Sequence, residues 1–226
     1  MQRKRILILP VALLCAVVAR GQGSYKLEMG GAASAQIPAA VRSVLEPHAD
    51  VLADAHGVPI CEIWWRKGIP EQKSAAASGD VLYSGLSVGE FLGILRFPKA
   101  GTDYRGQAIK PGFYTLRYAL IPQDGNHMGV SNFRDFVLLV PVADDIAPEQ
   151  NLTFDALMKA SRLATGTGHP GVMMLDPALQ DPSAKYPSAT QDDQGNWALN
   201  VELDVTSGGQ PQQLPLALVL VGQYQG

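Results

Sequence analysis

A mainly β fold is predicted, a two-sheet antiparallel sandwich of jelly-roll or immunoglobulin type with one short helix inserted. Three observations predict it. The 226-residue chain contains about nine short runs of strand character and one convincing helix, without the βαβα alternation of a parallel sheet. It carries 23 glycines and 16 prolines against 17% charged residues, a balance that favours strands and turns over helical bundles. Trp197, Leu199, Val201, Leu203 and Val205 alternate with polar or small residues, the period of a strand with one buried face.

Residues 1–21 are set apart from the fold. Arg3, Lys4 and Arg5 precede an apolar run from Ile6 to Ala19, and small residues follow at Ala19 and Gly21, the three parts of a secretory signal peptide. The apolar run is shorter than the ~20 residues of a spanning helix. The expectation is a secreted or periplasmic protein, free of the membrane after cleavage, with residues 22–226 as a single domain. Removing residues 1–21 takes away four basic and no acidic residues, which leaves 14 basic against 21 acidic and a net charge of −7. Such a chain lacks the cationic footprint that holds phosphate backbones, so nucleic acid is excluded as a partner. One cysteine is left, Cys61, and an internal disulfide is ruled out.

Within the domain, Tyr25, Leu27 and Met29 alternate with Lys26 and Glu28 in a first strand over 24–29. Ile37 to Leu45 reads as a short helix bounded by Pro38 and Pro47. Val51–Asp54 and Val58–Arg66 form a hairpin across Asp54-Ala55-His56-Gly57. Asp80 to Phe97 reads as one or two strands broken near Gly85–Gly89. In the next strand Tyr114, Leu116, Tyr118 and Leu120 share one face, and Phe113, Thr115, Arg117 and Ala119 the other. Phe136–Val140 is apolar on both faces, as a covered central strand is. Asn151–Ala164 is the helix, capped by Thr153 and ended by Gly166 and Gly168. A strand over 172–175, a polar proline-rich connection over 176–196, the alternating strand from Trp197 and an apolar strand over 214–221 complete the chain.

The densest cluster of chemically capable side chains lies between the strands 113–120 and 136–140: Asp124, Asn126, His127 and Ser131. His127 titrates near neutral pH and ligates metals, Met128 adds a soft sulfur, and Asp124 is placed to orient the imidazole. A copper or zinc site there needs a further ligand, with His56, His169, Asp144 or Asp145 as candidates. The alternative is that Asp124-Gly125-Asn126 simply builds a turn. Trp64, Trp65, Tyr83 and Tyr104 are candidates for a sugar-stacking surface, although Trp64 and Trp65 are adjacent and must face opposite sides of a strand. Gly85-Leu86-Ser87-Val88-Gly89 matches the nucleophile-elbow pattern, with Asp144 and His169 following in hydrolase order, but the elbow needs a helix after the serine and these residues precede a strand-like run. Cys61, between Ile60 and Ile63, reads as a buried inert thiol.

Lys110-Pro111-Gly112-Phe113-Tyr114-Thr115-Leu116 resembles the P-x-G-x-Y-T-L strand of families of secreted bacterial β-sandwich proteins. The loop Asp124-Gly125-Asn126-His127-Met128-Gly129, followed by Arg134 to Pro141, looks like a feature of one such group. The resemblance covers about thirty residues and implies the fold and the exported location, with no activity attached. The leading expectation is therefore an exported β-sandwich binding or accessory module whose ligand is a carbohydrate or a protein. The alternatives are a metal-binding protein or metal-dependent enzyme centred on His127, and a serine hydrolase using Ser87.

Overall fold

A computed structural model of the chain describes residues 24–70, 79–123 and 131–222. In chain order these form β1 (Lys26–Met29), α1 (Ala39–Arg42), β2 (Asp50–Ala53), β3 (Pro59–Trp65), β4 (Ile69–Pro70), β5 (Phe91–Phe97), β6 (Gly101–Thr102), β7 (Ala108–Ile109) and β8 (Gly112–Leu120). There follow β9 (Asp135–Pro141), α2 (Phe154–Thr165), β10 (Gly171–Asp176), β11 (Ser188–Gln191), β12 (Trp197–Ser207) and β13 (Gln210–Val221).

The strands build one 11-stranded sheet in the order β1-β2-β3-β5-β8-β9-β10-β13-β12-β11, with β4 joined to β12; β6 and β7 make a separate two-stranded ribbon. Pairing is antiparallel except for β4 on β12. The expected mainly β, antiparallel character is present. The expected division into two sheets is not, because hydrogen bonding runs unbroken through β10. Its residues 171–174 pair with β9, and Leu175 and Asp176 pair with β13. A strand that changes partner along its length is how a sheet turns a corner.

The sheet curls until its ends approach. β4 follows β3 directly yet pairs with β12, and the ring of Tyr25 meets that of Trp197 edge-on at 5.4 Å. Inside the curl lies the main core, with Tyr114, Leu116, Tyr118, Val137, Leu139, Leu199, Val201, Leu203 and Val205 all buried. Both predicted alternations, in β8 and in β12, therefore point their apolar sets inward.

The outer face is covered as well, which is why β9 is apolar on both sides. The helix expected over 37–45 contracts to four residues, but Ile37, Val41 and Leu45 are fully packed on Trp64, Phe91 and Ile94. α2 covers Phe136, Leu138 and Val140 through Leu157, with the Thr153 hydroxyl accepting from Ala156 N–H and left-handed Gly166 closing its last turn. Gly93 of β5 allows a close approach: a Cβ there would lie 2.4 Å from the carbonyl oxygen of Trp64.

Of residues 80–97, expected as one or two strands broken near Gly85–Gly89, only Phe91–Phe97 forms a strand; the break is present, and residues 80–84 before it run through turns as well. Their backbone donors are taken elsewhere: the buried carboxylate of Asp135 accepts from the N–H groups of Leu82 and Tyr83 at 2.8 and 2.9 Å. A segment whose donors are committed to a side chain has none left for a ladder.

Candidate functional site

The strands β8 and β9 pair from Tyr114↔Pro141 to Leu120↔Asp135, and Ile121 N–H continues the ladder to the Arg134 carbonyl. The two long strands expected on either side of the polar loop are therefore present. The loop candidates Asp124, Asn126 and His127, and with His127 the metal reading, lie outside the described residues. Ser131 is exposed, and its hydroxyl accepts from Phe133 N–H at 3.3 Å. Among the described residues no group of three or more His, Cys, Asp or Glu side chains is arranged to hold a metal ion.

Trp64 does not offer a ring to a ligand. It is 3% exposed, its indole N–H donates to the Gly31 carbonyl at 2.9 Å, and its ring packs 6.4 Å from that of Phe113. Trp65 lies on the opposite face and donates to Asp50. Ser87 sits in a turn whose carbonyl accepts from Glu90 N–H, and β5 follows; the strand-to-helix corner of a nucleophile elbow is absent at this position. Asp145, one of the suggested metal ligands, is committed to Arg117 (Nε–Oδ2 2.7 Å, Nη2–Oδ1 2.6 Å) and to the Thr115 hydroxyl at 2.6 Å. Cys61 is fully buried, and burial pushes its thiol up to about 12, as an inert thiol requires.

What the tertiary structure assembles instead is a pocket of about 490 Å3, between residues 177–186 on one side and Leu82, Tyr83 and the β12–β13 ribbon on the other. Leu82, Leu214 and Pro215 supply apolar surface from one side, and Pro177, Leu179 and Pro182 from the other. Tyr186 and Pro182 come from the proline-rich connection, and Gln180, Asp181 and Glu202 are its polar groups. The two charged side chains that line it are both carboxylates.

A buried network anchors Tyr83, which lines the pocket. Besides its two backbone donors, Asp135 accepts from the Tyr118 hydroxyl at 2.6 Å. The Tyr83 hydroxyl donates to the Asp176 carbonyl at 2.6 Å and accepts from Ala217 N–H at 3.1 Å, so it ties three segments together. Burial is the main reason that both phenols are pushed well above the usual tyrosine range, which keeps them protonated. Asp176 is raised by burial first and by nearby Asp192 second. On the rim, Asp181 is held below the usual carboxylate range because the backbone N–H and the hydroxyl of Ser183 both donate to it.

This arrangement can stack an apolar ring face, accept hydrogen bonds from a hydroxylated ligand, and disfavour anions. The sequence reading named Tyr83 but missed the pocket, because its walls come from residues 82–83, 177–186, 202 and 214–215. A signal was present in the proline-rich stretch, too long for an ordinary connection.

Comparison of the chain with protein-family models, with curated proteins and with solved structures finds no match.

Proposed function

We propose that the protein is an exported binding module that holds a carbohydrate in the pocket between residues 177–186 and the β12–β13 ribbon. The observation that carries the proposal is that Tyr186, Asp181 and Glu202 line one pocket together with apolar Leu82, Leu214 and Pro215. Pyranose rings have one apolar face and a rim of hydroxyls. Tyrosine presents an apolar body with a polar tip to such a ligand, and carboxylates accept charge-assisted hydrogen bonds roughly twice as strong as neutral ones. The volume of about 490 Å3 falls in the ~300–1,000 Å3 range of small-ligand sites.

Export is supported by the basic and apolar pattern of residues 1–21. The resemblance of 110–116 and 124–141 to secreted bacterial β-sandwich proteins belongs to the same reading. So does a description of the curled sheet as two layers folded about β10. Of the two tyrosines that line the pocket, Tyr83 has its hydroxyl committed to Asp176 and Ala217, which leaves Tyr186 as the one to meet a ligand.

Glycan arrays probed with the purified protein test the proposal. Oligosaccharides should be retained, and Tyr186→Ala should weaken that binding about tenfold, ~1.4 kcal/mol, with the circular dichroism spectrum unchanged. A blank array, together with specific capture of one protein from an envelope extract, would replace the carbohydrate by a protein ligand.

A further inference from the structure

We infer that the carbohydrate taken by this pocket carries protonated amines, so that amino sugars are preferred over neutral or acidic ones. This inference rests on the carbohydrate reading above and narrows it.

The charge at the pocket has one sign. Among the described residues, Asp181 and Glu202 line it and no lysine, arginine or histidine does. They come from different segments of the chain: Asp181 from the proline-rich connection, and Glu202 from β12, where it pairs with Pro215 of β13. A ring stacked on Tyr186 would therefore share its pocket with two carboxylates.

The strand periodicity explains how Glu202 comes to be there. Val201 and Leu203 point into the core, so the residue between them must point out of it. Asp181 stays ionised in weakly acidic solution, because the Ser183 donors stabilise its charged form. Both carboxylates are solvent-exposed, so each pairing with an ammonium is weak and screened by salt. Two such pairings favour an amine over its uncharged counterpart by roughly three- to tenfold at low ionic strength. A uronic acid in the same place meets repulsion from both carboxylates.

The experiment is calorimetric titration in weakly acidic, low-salt buffer with three probes: a glucosamine oligomer, its N-acetylated counterpart, and a galacturonic acid oligomer. The glucosamine oligomer should bind several-fold more tightly than the acetylated one, and the acidic oligomer should bind most weakly. Molar salt, or the double variant Asp181→Asn/Glu202→Gln, should bring the ratio of the first two affinities close to one. If both hexosamine oligomers bind equally and Tyr186→Ala weakens both, the amine preference is overturned while the carbohydrate site stands. If none of the three binds, and arrays are blank for other sugars, the carbohydrate reading falls and the amine preference with it.

Discussion

Arg117 and Asp145 meet in a two-point pairing, Nε to Oδ2 and Nη2 to Oδ1, with 0% and 2% of their side-chain surface exposed. The rest of the guanidinium donates to the carbonyls of Gly89, Ala147 and Gln150 at 2.9–3.0 Å, and its carbon sits 5.2 Å from the Phe91 ring centre. β8 thus grips the turn before β5 and the connection before α2 through one side chain.

Removing one member of that pair strands a buried charge. Asp145→Ala should therefore cost about 3–5 kcal/mol of unfolding free energy, measured by urea denaturation. Arg117→Met combined with Asp145→Leu should recover only part of the loss: it leaves no uncompensated charge, but it strands the carbonyls of Gly89, Ala147 and Gln150 and the Thr115 hydroxyl. A single variant that costs less than about 1 kcal/mol would mean that solvent reaches the pair.

Asp135 organises the opposite face of the same strand pair by accepting from Leu82, Tyr83 and Tyr118. Asp135→Asn keeps the shape but turns one acceptor into a donor that faces backbone N–H groups. The expected cost is about 1–3 kcal/mol. Near-ultraviolet circular dichroism should change too, because Tyr83 and Tyr118 lose their anchor. Wild-type stability with an unaltered aromatic signal would contradict this account of the network that anchors Tyr83.

Asp176 offers a test in pH. Its pKa is raised in the folded protein, by burial and then by Asp192, so the folded state holds the proton more tightly than the unfolded chain does. Stability from this group is present below the ordinary aspartate pKa and is lost as pH rises through the raised folded value. Asp176→Asn removes that loss while leaving the backbone carbonyl that Tyr83 uses. Urea midpoints of variant and wild type should nearly coincide in strong acid and separate in favour of asparagine toward neutral pH. Separation in the opposite sense would show that the carboxylate is stabilised as an anion.

Cys61 should resist alkylation in native protein and react once urea unfolds it, as mass spectrometry would record. Its thiol is fully buried and pushed up to about 12, so thiolate is scarce near neutral pH. Rapid labelling of folded protein would place this part of β3 at the surface.

The strands from Trp197 and from Phe113, the covered strand at Phe136 and the caps of α2 were legible in the sequence because each depends on neighbours along the chain. Alternation selects the inward set of a strand, and Thr153 and Gly166 satisfy the ends of the helix they adjoin. The break near Gly85–Gly89 was legible, but the turns over 80–84 were not, since the acceptor that captures the Leu82 and Tyr83 N–H groups is Asp135, some fifty residues away. The burial of Arg117 was hidden for the same reason. Period-2 spacing gives its face, but only the arrival of Asp145 and the carbonyls of 147 and 150 makes that face a place where a charge can be buried. The pocket belongs wholly to the tertiary structure. Its walls touch because β10 changes partners from β9 to β13 and carries the 177–186 connection against Tyr83, and long-range pairing of that kind leaves no local periodic trace.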